Sequence, residues 1–171
     1  MNTPQSLRRR RGDLVPDPEG VHERILVPVK VGPIGDEVLA TALKLAETRR
    51  AEVRVLHVIR VPLERSLDAP QPEAEERAST SLAEAKSLAA EHGVEIDGAV
   101  VRSRALGEAI VEEAAAYDAD LIVMGSAPRW RRQSRFFSPT VDYVLRRSQA
   151  EVMVVAYPEG VLEDEEHMVE A

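Results

Sequence analysis

The sequence predicts an α/β domain: a five-stranded parallel sheet with helices on both faces. Two observations carry this. Short apolar, β-branched runs of strand length alternate with longer segments whose apolar residues repeat at helical spacing. Several of the strand runs, DLIVM above all, are apolar throughout rather than alternating. Such strands need cover on both faces, which a parallel sheet between two helix layers supplies. Crossovers between them are right-handed.

The elements follow in order. RILVPV (Arg24–Val29) is the first strand. In DEVLATALKLAETRR, Val38, Leu39, Ala42, Leu45 and Ala46 share one helix face, and Asp36 is placed to cap its start. EVRVLHVI (Glu52–Ile59) is the second strand, followed by a polar, proline-bearing connection. EAEERASTSLAEAKSLAAEHG is the longest helix; Ala78, Leu82, Ala85 and Ala89 share a face, and Gly93 ends it. VEIDGAVVRS is the third strand and GEAIVEEAAAYD the third helix, with Glu112 and Glu113 on its solvated face. ADLIVMGS is the fourth strand. TVDYVLRRS is the fourth helix, with Val141, Val144, Leu145 and Ser148 on one face, and EVMVVA the fifth strand. Asp36, Glu37, Asp118 and Asp120 fall at helix edges, where capping explains them.

Residues 1–22 carry four consecutive arginines and no period, and residues 159–171 are acidic and aperiodic. Both read as flexible tails around a domain at 23–158. The net charge of −8 argues against a nucleic-acid binder, and no apolar run approaches a membrane span. With no apolar segment after the arginines, a soluble cytoplasmic protein is expected. There is no cysteine, and the four histidines stand far apart, so no metal site is expected.

Ligands of open parallel sheets bind beyond the carboxyl ends of the strands. That directs attention to Pro28, Val29 and Lys30 after the first strand, to Val58 near the end of the second, and to GSAPRWRRQSRFFSPT, Gly125 to Thr140. Gly125 would let backbone amides approach an anion, and Ser126 offers a hydroxyl. Arg129, Arg131 and Arg132 could clamp phosphate oxygens, or could face water and pair with surplus carboxylates. Ser138, Pro139 and Thr140 stand where a helix starts. That start adds free amides and a positive dipole end, and proline suits its first turn. Phe136 and Phe137 are expected to pack the loop onto the domain. No nucleophile elbow, HExxH or Walker lysine motif is present.

The opening ILVPV, the LHVI of the second strand, and DLIVMGS followed by a loop and DYVL resemble the universal stress protein family, from about Arg24 to Tyr157. The resemblance implies strand order 3-2-1-4-5 and a homodimer, often paired through the last strand, here Glu151 to Ala156. It also implies a role in stress responses and, in some members, binding of ATP or cyclic AMP. ATP-binding members carry G-x2-G-x9-G-[ST] after strand four and commonly V-D-x-S after strand one. Laid on this chain, the first glycine is Gly125, with Ser126 following. The second falls on Pro128, the third on Ser138 and the Ser/Thr on Pro139; the Asp and Ser after strand one fall on Lys30 and Gly32. Length is kept while composition changes, and the two prolines remove two amides. The loop form also resembles stress-protein domains fused behind amino-acid permeases, which implies a transporter as a partner.

The expected function is a non-enzymatic regulatory homodimer whose altered cleft takes an adenine nucleotide or another anion weakly. Two alternatives stand beside it. One is an interaction protein with a dead cleft. The other is an ATP-binding protein with weak ATPase or adenylyl-transfer activity, which would need a metal-binding carboxylate that the basic loop does not offer.

Overall fold

The computed structural model describes residues 22–30, 32–126 and 137–156. The order of elements is β1 (Arg24–Pro28), α1 (Pro33–Arg49), β2 (Glu52–Arg60), α2 (Pro72–Glu91), β3 (Ile96–Ser103), α3 (Leu106–Tyr117), β4 (Leu121–Ser126), α4 (Pro139–Arg147) and β5 (Glu151–Ala156). All strand pairs are parallel, in the order β3-β2-β1-β4-β5. The fold is thus the expected one. Among the described residues no helix is long and apolar enough to cross a membrane.

The sheet separates two cores. On one face Ile25, Val27, Val53, Val55, Leu121 and Val123 meet α1 and α2 through Leu39, Leu43 and Ala85. On the other, Leu26, Leu56, Ile122 and Met124 meet α3 and α4 through Ile110, Ala114, Val141 and Val144. Ile25, Leu26 and Val27 are consecutive and fully buried, so β1 contributes to both cores at once. Alternation of side chains along each strand explains the division.

Several local expectations need correction. Helix α1 begins at Pro33, not Asp36, because Gly32 takes φ 125° as its N-cap residue. Asp36 therefore lies inside the first turn, and its own N–H donates to the Gly32 carbonyl at 3.2 Å. Leu45 is only half-buried, while Leu43 is fully buried. Strand β3 starts at Ile96, since the Val94 N–H donates to the Ala89 carbonyl and closes α2 instead. On α4, Val141 and Val144 are buried but Leu145 is 42% exposed, and the Ser148 hydroxyl donates to the Ala150 carbonyl. Phe137 is exposed rather than packed, and Phe136 lies outside the described residues.

Two carboxylates assigned to helix edges or solvent do something else. Glu113 accepts from Arg54 Nη1 at 2.9 Å, while Arg54 Nε donates to Asp97 at 2.8 Å. The same guanidinium lies 4.2 Å from the Tyr117 ring centroid. These contacts tie β2, β3 and α3 together at the amino ends of the strands. Asp120 caps no helix. Its Oδ2 accepts from the backbone N–H groups of Glu23 at 2.7 Å and Arg24 at 3.2 Å, which fastens the entry of β1 to β4. Asp118 does stand at a helix end, as the left-handed C-cap residue of α3.

Gly107, in the first turn of α3, is where α4 comes closest. A Cβ there would lie 2.8 and 2.9 Å from side-chain atoms of Tyr143. Gly107→Ala is therefore expected to destabilise the domain by about 1–3 kcal/mol through overpacking, measured as a lower urea midpoint at unchanged slope. His57 on β2 gives a pH effect. Burial, then the nearby Arg77, lowers its pKa from the ordinary 6.5. The folded state thus favours the neutral ring, and the stability this contributes is lost as pH falls through the ordinary histidine range. His57→Gln should flatten that acid-side fall in the urea midpoint relative to wild type.

Candidate functional site

The connections leaving β1 and β4 run to opposite sides of the sheet, so the order of strands reverses between them. Pairing shows what happens there. β1 and β4 are in register only at Ile25↔Leu121 and Leu26↔Ile122. β1 continues against β2 to Pro28↔Leu56, and β4 continues against β5 to Ser126↔Ala156. The two central strands therefore part company at their carboxyl ends, which leaves a crevice at the switch point.

One wall is the exit of β1. The Val29 N–H donates to the Leu56 carbonyl at 2.9 Å, and the Val29 side chain packs against the core under α1. Lys30 is exposed. The backbone then turns at Gly32, whose φ of 125° favours glycine. It comes back so tightly that a Cβ on Gly35 would lie 2.0 Å from the Lys30 carbonyl oxygen. Sequence reasoning missed Gly35. Its signal is the spacing of two glycines in VGPIG, which only a close backbone approach requires. Lys30 lines a small crevice between α1 and α2 together with Asp36 and Glu84.

The opposite wall is the end of β4. Gly125 is half-buried, and Ser126 is 4% exposed. The Ser126 hydroxyl is buried with no hydrogen-bond partner among the described residues. A buried hydroxyl left unpaired costs roughly 1–3 kcal/mol, so a partner for it is worth having.

Helix α4 begins with Ser138 as its N-cap residue and Pro139 in its first turn. The Val141 N–H donates to Ser138 Oγ at 3.3 Å and the Asp142 N–H to the Ser138 carbonyl at 2.9 Å. Pro139 has no N–H. Of the first-turn amides after Ser138, Thr140 alone remains uncommitted among the described residues. Ser138, expected as a ligand contact, thus accepts from its own helix through Oγ and keeps its O–H as a donor.

Of the residues singled out from the sequence, the fold brings Pro28, Val29 and Lys30 to one side of the switch point and Gly125 and Ser126 to the other. Val58 lies in β2 two residues beyond the Pro28↔Leu56 pair, opposite Val101 of β3, and packs, partly buried, against the core under α3. Arg129, Arg131 and Arg132 lie outside the described residues. Among the described residues no group of three or more His, Asp or Glu side chains is placed to hold a metal ion.

Comparison with known proteins agrees with this architecture. The model of the universal stress protein family matches residues 22–156. A universal stress protein of Methanocaldococcus jannaschii is 27% identical over 146 residues, which cover 82% of this chain and 85% of that protein. A universal stress protein from Archaeoglobus fulgidus superposes with a TM-score of 0.66 at 23% identity, covering 78% of this chain and 98% of that one. The Archaeoglobus fulgidus protein in complex with dAMP gives 0.63 at 24% identity, covering 78% and 98%. A universal stress protein in complex with cAMP gives 0.65 at 21% identity, covering 81% and 99%. At these identities the structural likeness is one of fold. The family match spans the described domain from end to end, and the chain belongs to the universal stress protein family.

Proposed function

We propose that this chain is a non-enzymatic regulatory module of the stress response. In this reading it is a homodimer that takes an adenine nucleotide, or another anion, weakly at the crevice between β1 and β4. The observation that carries the reading is the Ser126 hydroxyl, buried beside that crevice with no hydrogen-bond partner among the described residues. Related folds hold dAMP and cAMP, which makes adenine nucleotides the first ligands to try.

Weakness follows from the α4 start and from Lys30. A phosphate at a helix N-terminus is held by free amides. Here Pro139 supplies none, and two of the following amides are taken by Ser138. Lys30 brings a cation, but Asp36 and Glu84 stand beside it. Side-chain charge from Arg129, Arg131 and Arg132 would have to make up the difference, and such binding is salt-sensitive.

Calorimetric titration with ATP, ADP and cyclic AMP at low and high salt tests the site. The expected result is a dissociation constant of roughly 0.1–1 mM, about 4–5.5 kcal/mol of affinity, weakening with salt. Ser126→Ala should weaken it by about fivefold, and the Arg131→Ala, Arg132→Ala pair by more. Silence with all three nucleotides would leave the interaction-only reading in its place.

The dimer rests on β5. It is an edge strand, and Val152, Met153, Val154 and Val155 are all half-exposed. An apolar edge of this kind is covered or it aggregates. Sedimentation at micromolar concentration should give twice the chain mass of 18.9 kDa, and Val154→Lys should give the monomer. A wild-type monomer would remove the β5 interface from the proposal.

A further inference from the structure

At the amino ends of the strands, far from the crevice, an imidazole stands between two carboxylates. His22 Nδ1 lies 3.6 Å from Asp120 Oδ1, and Nε2 lies 3.4 Å from Glu151 Oε2. The ring is largely covered, with 21% of its side chain exposed. Asp120 Oδ1 is buried and has no hydrogen-bond partner among the described residues. Its other oxygen already takes the Glu23 and Arg24 amides.

The three residues belong to different strands. His22 leads into β1, Asp120 leads into β4, and Glu151 opens β5. The strands stand in the order β1-β4-β5, so the ring reaches across β4 to the sheet edge. The backbone follows the same path: the Asp120 N–H donates to the Arg24 carbonyl, and the Glu151 N–H to the Asp120 carbonyl, each at 3.0 Å. Among the other charged groups described at this end, Arg24 faces Glu52 at 3.5 Å and Asp118 at 3.7 Å, and Glu23 is exposed.

A doubly protonated imidazolium carries two N–H donors and a charge, so it serves both carboxylates together. A neutral ring carries one N–H and can serve only one of them. Histidine is the side chain whose charge changes between about pH 5 and 8.

We propose that His22 is a pH-operated latch that ties the lead-in of β1 to the start of the edge strand β5. With the ring charged, the starts of β1, β4 and β5 are held together. With the ring neutral, Glu151 is released, and the β5 start and the segment entering β1 loosen together. The latch does not depend on the crevice or on any ligand there.

The test is hydrogen exchange of the full chain, read as protection factors for the Glu23, Arg24 and Glu151 amides at about pH 5.5 and about pH 8. In the wild type, protection at these amides should fall by about fivefold toward high pH, the scale of two partly exposed ion pairs. Interior β4 amides such as Val123 should not follow. His22→Gln should show the low protection at both pH values, and His22→Lys, charged throughout, the high protection at both. Glu151→Gln alters an exposed side chain and should remove the pH response at residue 151 without unfolding the domain. His57 and His92 remain in every variant, so a response that vanishes belongs to His22. Protection that is independent of pH in the wild type, or that keeps its full pH response in His22→Gln and Glu151→Gln, overturns the proposal.

Discussion

The structure depends on β1 being buried on both faces. Three consecutive residues, Ile25, Leu26 and Val27, have no exposure at all. Side chains in a strand alternate between faces, so such a run can exist only with a helix layer on each side. From that constraint the rest follows. β1 must be central, with a neighbour on either edge, and the chain must pass β2 and β3 on one side before returning to place β4 on the other. Reversal of direction at β1 puts α1 and α2 on one face and α3 and α4 on the other. The crevice beyond β1 and β4 is therefore a by-product of burying β1.

The two ends of the sheet meet this constraint differently. At the amino ends, the strand starts are drawn together by polar groups from distant parts of the chain. Asp120 holds the Glu23 and Arg24 amides, and Arg54 bridges Asp97 and Glu113 under the ring of Tyr117. These groups satisfy one another, which is the condition for placing charge near a core. At the carboxyl ends, β1 and β4 separate after two paired residues, and the Ser126 hydroxyl is buried without a partner among the described residues. Each end still keeps one buried oxygen without a hydrogen-bond partner among the described residues, Asp120 Oδ1 at the amino end and Ser126 Oγ at the carboxyl end.

Much of the fold was legible because it rests on composition. Apolar runs such as LIVM and the period of LATALKLA announce their burial directly. What escaped depends on geometry that no local window contains. Glu113 looks like a solvated helix residue because its partner Arg54 is 59 residues away, and Asp120 looks like a cap because the amide it binds is 97 residues away. Helix α1 starts three residues early because Gly32 adopts a dihedral that its identity permits but does not announce. Leu145 has the right spacing for a core face, yet α4 is nine residues long and buries only Val141 and Val144. The switch point was legible in place, since strand ends follow from strand order. Its chemistry was less so: Ser138 Oγ also caps its own helix by accepting from the Val141 N–H, which depends on the helix start and not on the residue type alone.

That last point bears on how a nucleotide loop is altered without losing its fold. A helix start needs its first amides satisfied, by a ligand or by the chain itself. Ser138 and Pro139 provide the second solution, one by accepting from the Val141 N–H and the other by having no N–H to satisfy. Such a helix start needs an anion less, because of its first-turn amides Thr140 alone is uncommitted among the described residues. Ser126 differs in kind, because its buried hydroxyl has no partner among the described residues and would gain one. Among the described residues, Ser126 Oγ and the Thr140 amide are then the groups that a ligand beside this helix start would satisfy. In the function proposed above, the rest of the binding energy comes from side-chain charge, which is less demanding of geometry than a row of backbone amides. Such a site would suit an anion held loosely better than the fixed grip that phosphate chemistry requires.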